Sequence, residues 1–117
     1  MKQSLTFSEL SRLIMQQAKE KGFGTAADEI DIPEKIVLIH SEVSEVFEAY
    51  RHKNMTGKHG FEEEFGDIMQ RVMGLAGAMG IDLEASILKK LEENKSRTWD
   101  WDKLSESHSI VKGNRQK

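Results

Sequence analysis

Two pairs of acids recur at helical spacing in the middle of the chain: Glu42 with Glu45, and Glu64 with Asp67. Members of each pair stand three residues apart, so on an α-helix both project from one face. Two such helices side by side bring four carboxylates together, which is repulsive and costly unless a cation sits among them. Carboxylate oxygens suit Mg²⁺, which also bridges to phosphate, and Mn²⁺ accepts the same donors. A single pair of this kind is commonly a solvated helix face. Two pairs on consecutive antiparallel helices, each flanking an apolar stripe, favour a shared ion. Di-iron bundles also use inward carboxylates but need Glu-x-x-His pairs, and no Glu here has a His three residues on.

A second set lies further along. Lys90, Asn94 and Arg97 fall on one line of a helix bordering its apolar stripe. Two cations and an amide there can hold phosphate oxygens, Arg with its planar fork; the plainer reading is a helix end whose cations face the C-terminal dipole. His40, His52, His59 and His108 share no ligand spacing. His52 stands apart because it lies two turns beyond Glu45 on the same flank. Trp99 and Trp101 are expected to pack the end of the fourth helix, with base stacking as the alternative. Met69, Met73 and Met79 read as core filler.

Positioning these groups requires helices, and the chain supplies the pattern. Apolar residues recur every three to four positions, there is one proline, and period-two alternation is scarce, so the fold class is all-α. Thr6 and Glu9 form a capping box that opens a first helix of roughly 7–21, with Phe7, Leu10, Leu13, Ile14 and Ala18 apolar and Gly22 and Gly24 at its end. A polar connection over 25–32 leads to Pro33 in the first turn of a second helix, roughly 33–53. Ile36, Ile39, Val43, Val46, Phe47 and Tyr50 are its expected core stripe; Glu42 and Glu45 lie beside that stripe, on a flank shared with Leu38 and Ala49. A turn-rich loop over 52–60 precedes a third helix, roughly 61–79, whose stripe is Phe61, Phe65, Ile68, Val72, Leu75, Ala76 and Met79. Glu64, Asp67 and Arg71 run along one edge of it. The small residues from Gly74 to Gly80 imply close approach of another helix. Asp82 caps a fourth helix, roughly 83–97, with Leu83, Ile87, Leu88 and Leu91 inward. The expected organisation is one four-helix bundle over 1–102 and a polar, mobile tail over 103–117.

Composition narrows the class. The 117 residues make one domain-sized chain, 38% hydrophobic and 32% charged, with a net charge of −3, so nothing invites nucleic acid. Cysteine is absent, which excludes disulfides and thiolate metal sites. Without a long apolar run or a signal-like start, a cytoplasmic protein is expected, with no membrane partner.

Three segments together resemble a known family. Glu42-Val-Ser-Glu45 continuing into Val-Phe-Glu-Ala-Tyr, Glu-Glu-Phe-Gly-Asp at 63–67, and the Lys90, Asn94, Arg97 pattern are similar to the MazG-like all-α nucleoside triphosphate pyrophosphohydrolases. That superfamily includes the dCTP pyrophosphatases and the dimeric dUTPases. The likeness spans roughly residues 33–99. It implies Glu42, Glu45, Glu64 and Asp67 as Mg²⁺ ligands and Lys90, Asn94 and Arg97 as triphosphate contacts. Hydrolysis of a (deoxy)nucleoside triphosphate to the monophosphate and pyrophosphate, as pool house-cleaning, is the implied reaction. Family members often carry an acid just before the first Glu; Ser41 stands there, leaving a metal-held water alone or help from Glu63 to orient the attack. The family also assembles as dimers or tetramers. Phe7, His52, Trp99 or Trp101 would shape base selectivity. Two other readings stand beside this one: a phosphoribosyl-ATP pyrophosphatase, and a non-catalytic helical interaction module.

Overall fold

The computed structural model describes residues 4–106, with side chains through residue 103. Among the described residues the chain is all-helical: α1 Phe7–Glu20, a 3-10 turn at Ala27–Glu29, α2 Ile32–Arg51, α3 Phe61–Ala78, α4 Leu83–Ser96 and α5 Trp101–Glu106. No helix among them is long and apolar enough to cross a membrane.

Local chemistry accounts for the boundaries. Thr6 Oγ1 accepts from the Glu9 amide at 3.1 Å while Glu9 Oε1 accepts from the Thr6 amide at 3.1 Å. These bonds to Thr6 hold the Glu9 carboxyl below its usual range, the backbone one most, with Arg12 assisting. Asp31 Oδ1 caps α2 by accepting from the Glu34 amide at 3.0 Å, with Pro33 in the first turn. Asp82 Oδ1 does the same for α4 through the Ala85 amide at 3.0 Å. Asp100 Oδ1 accepts from Lys103 at 3.1 Å and so opens α5. That helix takes in residues 103–106, the start of the segment expected to be a polar tail; residues 107–117 and His108 lie outside the described residues.

Three helices end in the same way, with a left-handed residue followed by an amide that bonds back five residues. Gly22 and Gly80 fill that position after α1 and α3, and Lys53, with φ 57°, fills it after α2. The closing bonds run from Phe23 to the Ala18 carbonyl, Asn54 to Ala49 and Ile81 to Ala76, each 2.9 Å. A side chain is strained in this conformation. Lys53→Gly is therefore expected to stabilise the chain by roughly 0.5–1 kcal/mol, the relieved strain less glycine's extra chain entropy, read from a urea midpoint at unchanged slope.

The chain divides into two compact units, Met1–Ser86 and Ile87–Lys117, the division falling inside α4. Within the first unit α3 packs on both α2 and α1. Tyr50 meets Phe61 with ring centres 6.1 Å apart, and Glu42 meets Arg71, so contacts descend α2 as they ascend α3. An added Cβ on Gly77 would lie 2.5 Å from Met15 Sδ, which is the close helix approach that the small residues of α3 imply.

Burial corrects the expected core. Ala49, Met73, Ala76 and Ala78 are the buried apolar residues among those described. On α2 the flank of Leu38, Glu42 and Ala49 lies inward, whereas Ile36, Val43, Phe47 and Tyr50 of the expected stripe stand exposed, Phe47 at 60% and Tyr50 at 62%. Leu10, Leu13, Phe65, Met69, Met79, Ile87, Leu88 and Leu91 are exposed too. The helix has two apolar flanks: one packs on α3, and the other stays largely exposed, with Tyr50 at its end against Phe61 of α3.

Candidate metal centre and adjoining cavity

Glu42 on α2 and Glu64 and Asp67 on α3 come together where the two helices cross. Each offers a carboxylate oxygen, and the three oxygens lie within 4.8 Å of one another. An octahedral Mg²⁺ with bonds near 2.1 Å sets neighbouring ligand oxygens about 2.9 Å apart and opposite ones about 4.2 Å apart. The observed spread, within 4.8 Å, is close to that of such a ligand set, so the residues fit such an ion. Glu64 is 4% exposed. Its carboxyl is pushed above the ordinary 4.5, first by burial, then by sharing a hydrogen bond with the Glu42 carboxylate, then by the charges of Asp67, Glu42 and Glu45. A divalent cation would reverse that penalty by giving the charged form a partner.

The other expected site residues fall in different places. Glu45 is exposed and outside the three-acid group, although its charge reaches Glu64. Glu63 joins a second group with His59 that shares Glu64 with the first, their ligand atoms also within 4.8 Å of one another. There Glu63 Oε2 accepts from the His59 amide, Lys58 Nζ lies 3.9 Å from Glu63 Oε1, and His59 Nδ1 lies 3.9 Å from Glu64 Oε1. His59 escaped sequence reasoning because a loop residue has no helical register; its place directly before the α3 cap was the available signal. His52 caps α2, exposed, with Nδ1 2.9 Å from the Glu48 carbonyl, and stands apart from the three acids. Lys90, Asn94, Arg97 and Trp99 belong to the second unit. Within it Lys90 pairs with Glu93 at 3.5 Å, Arg97 lies 4.2 Å over the Trp99 ring, and Asn94 Oδ1 is enclosed without a hydrogen-bond partner.

A cavity of about 400 Å³ adjoins the acids, with Glu42 and Asp67 in its wall. Phe23, Ile30 and Leu75 give it an apolar side, and Lys35, Gln70 and Arg71 line it with polar groups. The size and the mixture are those of a small-molecule site. The loop after α1 builds one wall by folding back closely: an added Cβ on Gly24 would lie 2.5 Å from the Glu29 carbonyl oxygen, and the Thr25 amide donates to Glu29 Oε1 at 2.9 Å. Phe23 stands exposed on that loop, with Lys35 Nζ 5.9 Å from its ring centre. Phe7, Trp99 and Trp101, expected to shape selectivity, are not among the residues lining this cavity. Those that do were invisible as a set, because they come from four segments with no common spacing.

No protein family, curated protein or solved structure matches the chain.

Proposed function

We propose that the chain is a Mg²⁺-dependent nucleoside triphosphate pyrophosphohydrolase, with Mn²⁺ as a substitute ion. The observation that carries the reading is the convergence of Glu42, buried Glu64 and Asp67 beside a 400 Å³ cavity with an apolar wall. Glu42, Glu64 and Asp67 would hold the metal, with Glu45 one turn after Glu42 as a further carboxylate; the ion would neutralise the polyphosphate and activate water. The reaction breaks the bond between the α-phosphorus and its bridging oxygen as water oxygen bonds to that phosphorus. The water proton leaves to a base, and the products are a monophosphate and pyrophosphate. Glu63, or Glu45 where it does not join the metal, is the carboxylate that would serve as that base. The apolar cavity wall suits the organic part of the substrate. Lys90, Asn94 and Arg97 enter the reading through their sequence pattern alone, as phosphate contacts.

The reading includes an antiparallel helical bundle that assembles as a homodimer or homotetramer in the cytoplasm. Supporting it, Ile36, His40, Val43, Phe47 and Tyr50 on α2 follow a 4-3-4-3 spacing and are all exposed. A seam of that kind buries itself against another helix.

The test is pyrophosphate release from the eight common ribo- and deoxyribonucleoside triphosphates with Mg²⁺ and with EDTA. Release that EDTA abolishes is expected from at least one substrate. Thermal unfolding checks the metal separately: Mg²⁺ is expected to raise the midpoint, by roughly 2.7 kcal/mol of stability at a hundredfold excess over its dissociation constant. Silence across the panel with no thermal response to the ion would sink the reading.

A further inference from the structure

Arg71 is the cation already seated at the acids. Its Nε donates to Glu42 Oε1 at 2.9 Å, across from α3 to α2. Local helix chemistry offers a different partner, because Asp67 lies one turn earlier on the same helix in the order that favours an i,i+4 pair. The guanidinium passes over that partner and takes the carboxylate on the neighbouring helix. It thereby engages one of the three carboxylates a divalent ion would need, with a charge that no accessible pH removes. Arg71 also lines the cavity, alongside Lys35 and Gln70, so its remaining donors have an open space in which to meet a ligand.

We propose that Arg71 is a resident counter-ion that exchanges Glu42 for an anionic group of the ligand, so that metal and phosphate bind at this site only weakly alone and strongly together. The inference rests on the metal-dependent reading given above and specifies how the site couples its two ligands. The physics is competition followed by relay. A guanidinium and a divalent ion repel one another and claim the same carboxylate, so Arg71 opposes the ion. A phosphate in the cavity gives the guanidinium a second, bidentate partner, and the opposition disappears. Coupling between two ligands is reciprocal, so the ion must strengthen phosphate binding by the same factor.

Calorimetric titration of the full chain with Mg²⁺, with and without inorganic phosphate, tests this for the wild type, Arg71→Met and Arg71→Lys. Without phosphate, Arg71→Met is expected to bind Mg²⁺ about tenfold more tightly than the wild type, a coupling of ordinary size. Phosphate is expected to tighten Mg²⁺ binding severalfold in the wild type and to leave Arg71→Met unchanged. Arg71→Lys keeps the charge without the fork, so it should retain weak metal binding and lose most of the phosphate effect. It carries the test if the methionine variant does not fold. If the wild type binds Mg²⁺ and Arg71→Met binds it no more tightly, Arg71 only braces α3 against α2 and this proposal alone falls. If neither the wild type nor Arg71→Met binds Mg²⁺, with or without phosphate, the metal-dependent reading falls as well.

Discussion

Replacing Glu64 by Gln is expected to do two opposite things: lower magnesium-dependent pyrophosphate release at least about a hundredfold and make the metal-free chain more stable at neutral pH. The first effect follows from placing Glu64 among the ligands; changes to mere outer partners of metal ligands already cost roughly 10–100-fold. The second follows from its environment. Glu64 is 4% exposed and is surrounded by the charges of Asp67, Glu42 and Glu45, so its folded carboxyl titrates above the ordinary 4.5. Between the unfolded and folded values the native state binds more protons than the unfolded chain, so stability falls as pH rises through that window. Above the folded value the whole penalty is present. Gln cannot ionise, and that contribution to the pH dependence disappears. Urea unfolding in EDTA from pH 4 to 8 reads the difference directly. A variant that loses activity and is also less stable throughout would mean that Glu64 is a structural acid whose hydrogen bonds outweigh its burial.

Phe47→Glu is expected to convert an assembly into monomers while leaving their helix content intact. Phe47 is 60% exposed within the chain, so the substitution removes little packing inside one copy. Tyr50, at 62%, and Ile36, Val37 and Val43 beside it are also exposed. The patch is on the order of 500 Å² from side-chain areas of about 150–250 Å² for each aromatic, about as large as the biggest patch a monomer carries. Covering Phe47 alone is worth about 2 kcal/mol, and a two-fold interface counts each substitution twice. The dimer should weaken by roughly a thousandfold, since each 1.4 kcal/mol is a factor of ten. Sedimentation of wild type and variant at micromolar concentration decides it, with circular dichroism as the control. A wild type that sediments as a monomer would refute self-assembly through this face and leave the exposed seam to another partner. The proposed catalysis and the proposed assembly can be tested separately, because Glu42, Glu64 and Asp67 lie away from Phe47 around α2 or against its other flank.

The outline of the fold was legible because its signals are local. Thr6 with Glu9, Asp31 with Pro33, Asp82, Gly22 and Gly80 act within a few residues of themselves, and the helices begin and end close to where those residues place them. Asp100 is a cap of the same kind, and reading it would have located α5. The acid spacing was equally local: three residues apart on one helix means one face, whatever the rest of the chain does.

Rotation of one helix against another is different, and there the tertiary structure decided. Periodicity orders residues around a single axis but does not say which side turns inward when two flanks are both partly apolar. On α2 the flank of Leu38, Glu42 and Ala49 meets α3, and the stripe richer in large side chains faces outward. The same rotation separates the members of the first pair. Glu42 joins Glu64 and Asp67 while Glu45, one turn on, remains exposed. The cavity could not be read from the sequence for a related reason. Phe23, Lys35 and Arg71 share no register and meet only because the loop after α1 folds back beside the crossing of α2 and α3. By itself the sequence determined an all-helical chain with carboxylates poised in pairs. Packing decided which of them meet, which cation stands among them and which apolar face is left for something else to cover, because those outcomes depend on contacts between segments far apart in the chain.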